Sequence, residues 1–228
     1  MLLSDDPTQS TMQTPVASAD HVESGSRRSL PKQLQHLALV LWVSFTLPVI
    51  GSTFYLFNNP SSSTTPTRQT YRLITALVAE VTSLLVLWYV VDKQGKTKTD
   101  IGLNFHFLDI FRGLGLFVVA VVASYIAYIP FQYIYRAYSG NFAAVKSLHS
   151  MFGFGISFLS VSFICLNPFF EEIIVRGYAM TEVISVGGSP ALAIVISVAI
   201  QISYHLYQGL ARVLLLAVVF SIYAIYFA

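Results

Sequence analysis

Three ionisable side chains fall within six positions of one apolar stretch, in Asn167-Pro168-Phe169-Phe170-Glu171-Glu172-Ile173-Ile174-Val175-Arg176-Gly177-Tyr178. Charge inside a membrane-type segment is costly, so each such group needs a partner or a purpose. Successive residues of an α-helix turn by about 100°, so Glu172 and Arg176, four apart, share a face and can neutralise each other. Glu171 is rotated off that axis and has no sequence-local countercharge. A carboxylate so placed has the chemistry of a general base or acid, whereas the Glu172–Arg176 pair reads as a support.

The next intramembrane polar group is His205, in Gln201-Ile202-Ser203-Tyr204-His205-Leu206-Tyr207-Gln208-Gly209. Between the two clusters lies Gly187-Gly188-Ser189-Pro190, a strong turn signal. Glu171 and His205 each stand 17 residues from Gly188, so two antiparallel helices joined at that turn hold them at similar depth. A carboxylate and an imidazole converging on one water form a hydrolytic centre. Plainer readings stand beside this one: a structural interhelical tie or proton relay for the Glu–Arg pair, and a satisfied bundle histidine for His205. Glu80, an isolated acid in another apolar run, reads either as a helix–helix hydrogen bond or as a functional group. His106 and His149, near run ends, read as interfacial or solvated.

The elements that must position these residues follow from composition. The chain has 228 residues, 55% hydrophobic and 11% charged, with a mean hydropathy of +0.66, which is wrong for a water-soluble globule. Apolar runs at 37 to 57, 73 to 91, 114 to 135, 152 to 170, 191 to 204 and 210 to 228 are mostly near the ~20 residues that cross a bilayer. They are apolar on all faces and lack strand alternation, so the fold class is all-α, a polytopic transmembrane bundle of about six helices. Residues 1 to 36 are polar and read as a disordered tail, with 37–228 as the transmembrane domain. Gly153 and Gly155 read as packing positions. Cys165, the single cysteine, excludes an intramolecular disulfide and reads as a small core residue. A net charge of +2 from dispersed side chains gives no basic surface for nucleic acid; lipid and a membrane-associated peptide are the expected partners.

Orientation comes from Lys and Arg in the connections. The stretch Ser26 to Lys32 is somewhat similar to a twin-arginine export signal, but a long run without a cleavage site follows, so it reads as a cytoplasmic anchor. The tail carries Arg27, Arg28 and Lys32, and residues 92 to 113 carry Lys93, Lys96, Lys98 and Arg112. The intervening connections carry two each, Arg68 with Arg72 and Arg136 with Lys146. The N-terminus is therefore expected to be cytoplasmic, and the end of the fourth run, near Glu171, to lie toward the cytoplasmic leaflet.

Glu171-Glu172-x-x-x-Arg176, preceded by Asn167-Pro168 and followed by Gly177, resembles the first motif of the CPBP family, which holds type II CAAX prenyl endopeptidases, bacteriocin-processing enzymes and abortive-infection-type membrane proteins. Tyr204-His205-Leu206-Tyr207-Gln208-Gly209 resembles the histidine motif that follows it, and the likeness spans roughly residues 150 to 210. The resemblance implies an intramembrane endopeptidase of a bacterial cytoplasmic membrane, with a cavity open to the cytoplasm. By that analogy Glu171 activates water, His205 assists at the water or the leaving group, and Glu172 with Arg176 holds the site together. The resemblance also raises a divalent metal such as zinc on Glu171 and His205, although the paired-histidine spacing of zinc proteases is missing, and metal-free hydrolysis fits equally well.

The chain departs from the family pattern twice. Gln201 stands where the family usually has Phe four residues before its histidine, a change expected to reshape packing only. The family's later motif, a His followed four residues on by Asn or Asp that binds the oxyanion, has no counterpart after His205. Three expectations follow: a C-terminally truncated chain, a non-catalytic member with an immunity or scaffold role, or an enzyme with oxyanion donors elsewhere, such as Tyr204, Tyr207 or Gln208. A transporter using Glu80 and Glu171 ranks behind these because the chain shows no symmetric halves.

Overall fold

The computed structural model describes residues 30–58, 66–104, 106–141 and 157–228. His149, Lys146, Gly153, Gly155 and the expected disordered tail up to residue 29 lie outside the described residues. The first helix, α1 (Leu30–Asn58), begins ahead of the apolar run at 37. It is followed by α2 (Pro66–Lys93) and α3 (Leu108–Ser139). The fourth, α4, runs from Phe158 to Ser185, and α5 (Pro190–His205) and α6 (Leu210–Phe227) complete the bundle. Six spans among the described residues are long and apolar enough to cross a membrane, and the described residues contain no strand. Large apolar side chains such as Trp42, Leu47, Phe57 and Trp88 point outward, the surface that lipid solvates and water does not.

Local chemistry sets the element ends. Ser157 and Ser160 form a reciprocal capping box at the start of α4, satisfying two of the orphan N–H groups there. The Ser189 hydroxyl accepts the Leu192 N–H at 3.1 Å ahead of Pro190, a cap followed by the proline that suits a first helical turn. Between them the chain reverses through Gly187, at φ +92°, with Gly188 N–H donating to the Val183 carbonyl at 2.9 Å. The turn read from Gly187-Gly188-Ser189-Pro190 is thus in place, and α4 and α5 run antiparallel from it.

The fourth helix differs from its sequence reading. Pro168 has no N–H for the helical ladder, which points to a kink or a fresh start before the glutamates. The helix instead continues, passing at Glu172–Met180 into a π-helical stretch and returning to α-helix at Thr181–Ser185. Glu171 therefore sits midway along the span Phe158–Ser185 rather than at its end, with the Glu172–Arg176 pair carried inside the continuing helix. Cys165 is also corrected: it is exposed on α4, because on its own turn the inner side is taken by the part-buried Phe163 and Asn167.

The first half of α4 packs on α2, its π-helical stretch on α5, and α1 lies between α2 and α5, while α6 lies between α3 and α5. Phe45, Val90, Phe170, Ile174, Tyr178 and Tyr204 form the main core. Lys96 and the fully buried Glu182 form an ion pair that fastens the α2–α3 connection onto the end of α4. In the same connection the Thr97 N–H donates to Asp100 at 2.6 Å, which holds that carboxyl below its ordinary range and shapes the short helical turn Thr99–Ile101. A Cβ on Gly177 would meet the Ile101 carbonyl oxygen at 2.8 Å. Gly177→Ala is therefore expected to cost about 1–3 kcal/mol as overpacking, read as a lower thermal midpoint of the purified protein in detergent micelles. A midpoint equal to wild type would mean that the connection moves aside freely.

Candidate active site

Glu171 is 8% exposed, although it lies in the middle of a helix of apolar composition. Asn167, one turn earlier on the same face, donates from Nδ2 to Glu171 Oε1 at 2.7 Å. That oxygen lies 3.9 Å from His205 Nε2, with only about a tenth of either side chain exposed. On its other edge, His205 Nδ1 is 2.8 Å from the Gln201 carbonyl oxygen. A carbonyl can only accept, so Nδ1 carries a proton, and in the neutral tautomer with that proton Nε2 presents its lone pair toward Glu171. Tyr204 packs on the imidazole at 4.5 Å between ring centres and stacks on Phe45 at 5.1 Å, while Phe220 closes the far side at 5.3 Å. Past His205, the Tyr207 N–H donates to the Ser52 hydroxyl of α1 at 2.8 Å, so three helices fix the position of the ring.

The two members of the second pair are buried unequally. Arg176 and Glu172 do form the expected ion pair, one turn apart. The buried partner is Arg176, 2% exposed, while about half of the Glu172 side chain is exposed. The guanidinium lies over the rings of Tyr223 and Phe220, at 5.1 and 5.9 Å, and donates to Gln201 Oε1 at 3.0 Å. Gln201 thus does more than reshape packing. Its side chain holds Arg176 and its carbonyl holds His205, linking the supporting pair to the imidazole. That link crosses from α4 to α5, so no local spacing in the sequence reveals it. Asn167 was legible in principle, because a residue four before Glu171 faces it along a helix.

Glu171, His205 and Asn167 open onto a cavity of about 410 Å³ that reaches across to α1 and α2. Its walls include Glu80, Arg72, Tyr55, Tyr207 and Gln208. Arg72, a loop charge in the sequence reading, lies inside α2; its guanidinium donates to the Tyr55 hydroxyl at 3.1 Å and lies 5.3 Å over that ring. Gln208 donates to the Tyr207 hydroxyl at 3.1 Å. Both tyrosine hydroxyls accept a bond and so retain an O–H to donate. Tyr207 and Gln208 are donors that the sequence suggests; Tyr55 and Arg72 are not. His106, by contrast, is exposed and sits 3.6 Å from Asp109, away from the site.

Residues 153–228 match the family model of the type II CAAX prenyl endopeptidase Rce1-like proteins. The match covers a third of the chain, and in that segment the protein is similar to this family. It carries Glu171, Glu172, Arg176 and His205, and the six apolar helices make the protein multi-pass and integral to the membrane. No curated protein and no solved structure matches the chain.

A metal at this site would need more donors than these side chains supply. Among the described residues, no three His, Cys, Asp or Glu side chains gather closely enough to hold an ion. Glu171 and His205 offer two ligands where a catalytic zinc takes three from the protein. The donor set does not fit a catalytic zinc.

Proposed function

We propose that the protein is an intramembrane endopeptidase that hydrolyses peptide bonds of membrane-associated substrates, CAAX-type or bacteriocin-like, with water activated by Glu171. The observation that carries this reading is the approach of Glu171 Oε1 and His205 Nε2 to 3.9 Å at the wall of the cavity, in a segment matching an endopeptidase family. Two acceptors at that spacing can each take one O–H of the same water at ordinary hydrogen-bond length. The water oxygen is then left with its lone pairs turned to the cavity. As it attacks a carbonyl carbon, its proton passes to Glu171, and the imidazole steadies the water or the leaving group. The Tyr55 and Tyr207 hydroxyls supply donors for the negative charge that develops on the carbonyl oxygen. Glu172, Arg176 and Gln201 act by positioning. The excess of Lys and Arg in the tail and in the α2–α3 connection supports a cytoplasmic N-terminus, which in turn supports a bacterial cytoplasmic membrane as the setting.

The full chain reconstituted in lipid vesicles, given a farnesylated C-terminal CAAX peptide and an unprenylated membrane-anchored peptide, should release a defined fragment of at least one, identified by mass spectrometry. A preparation that remains folded yet cleaves neither would overturn the proposal.

A further inference from the structure

We propose that Glu80 is a further catalytic residue of this site, its carboxylate facing the nitrogen of the scissile peptide bond. This inference rests on the endopeptidase reading and deepens it. Glu80 lies within the spanning part of α2 and is 6% exposed. Its Oε2 is enclosed and has no hydrogen-bond partner among the described residues. A buried carboxyl kept as a helix–helix tie would show its partner on the facing helix; here the group lines the cavity that holds Glu171 and His205. Arg72, two turns earlier on the same helix, commits its guanidinium to Tyr55. An unpartnered acid in a membrane helix is costly to keep, which directs attention to what enters the cavity.

A peptide bond offers one acceptor, the carbonyl oxygen, and one donor, the N–H. The hydroxyls of Tyr55 and Tyr207 can meet the first. In its ionised form Glu80 only accepts, and in that form it can meet only the second. Glu171, held by Asn167 and facing His205, is assigned to the water, and Glu80 lines the same cavity from a different helix. The step then balances. Water adds to the carbonyl carbon and gives one proton to Glu171. The C–N bond breaks as that proton passes to the nitrogen, whose growing positive charge faces Glu80. The second proton of the water leaves with the new carboxylic acid.

The test compares two substrates that differ at one atom, in vesicles containing the full chain: a membrane-anchored peptide, and its depsipeptide analogue with oxygen in place of the scissile N–H. Glu80→Gln, close in shape, should slow turnover of the amide on the order of 10²-fold, as for loss of one charge-stabilising group, and leave the ester within about threefold of wild type. Glu80→Asp, which retains the charge, should recover part of the amide rate. Equal losses on both substrates, or an unchanged amide rate, would overturn the role assigned to Glu80 while leaving the endopeptidase reading intact. A folded wild type that cleaves neither substrate would instead overturn that reading, and this role with it.

Discussion

Glu171→Gln is expected to abolish hydrolysis of amide and ester substrates alike while leaving the bundle folded. Gln has nearly the shape of Glu, and its amide oxygen can still accept the Asn167 Nδ2 bond that is 2.7 Å long in the native site. The change removes a charge from a site that is 8% exposed, so folding loses no ion pair that it depends on. What disappears is the acceptor for the proton of the attacking water. A positioned general base contributes roughly 10²–10⁴-fold to rate, and with no other carboxylate beside His205 among the described residues the remaining turnover should fall near background. The decisive comparison is product formation in vesicles against the thermal midpoint of the same preparation. A folded variant that cleaves at wild-type rate would remove Glu171 from the mechanism and reopen the non-catalytic reading. Loss of both folding and activity is not expected, because the contacts of Glu171 are hydrogen bonds that Gln can keep.

The sequence reveals those parts of this site that follow from local periodicity. Hydropathy marks the six spans found among the described residues, because a bilayer demands one unbroken apolar stretch per crossing. The Glu172–Arg176 pair follows from helical spacing, and the approach of Glu171 to His205 from equal arms on either side of a two-glycine turn. The unread features depend on contacts between helices or on how a helix absorbs a defect. Pro168 reads as a kink or a fresh helix start, yet the α-helix runs through it to Glu171 and then passes into a π-helical stretch, a form often found where function needs an altered face. Gln201 has no neighbour in sequence that announces Arg176, and Cys165 has none that tells lipid from core. Arg72 and Glu80 stand eight apart, close to two full turns, so a shared face was available to inspection. Which cavity that face would line was not.

Removing the glutamate of the supporting pair should cost more than its half-exposed position suggests. In Glu172→Gln the side chain left behind is Arg176, 2% exposed, a buried cation facing only a neutral amide and two rings. Breaking a buried pair in this way costs about 3–5 kcal/mol, and the rings offset part of that, so a loss near 3 kcal/mol is expected in reversible unfolding from detergent micelles. Replacing both members, Glu172→Gln with Arg176→Met, removes the stranded charge, and the double variant should be more stable than Glu172→Gln alone, a coupling that the four-membered cycle measures directly. Equal stability of Glu172→Gln and wild type would show that the pair does not hold the helix. Activity should not recover with stability, because a thioether in place of the guanidinium cannot donate to Gln201, and Gln201 is the residue whose carbonyl fixes His205. A stable double variant with turnover well below wild type is the result that assigns Arg176 its positioning role; one with full turnover would confine the arginine to folding.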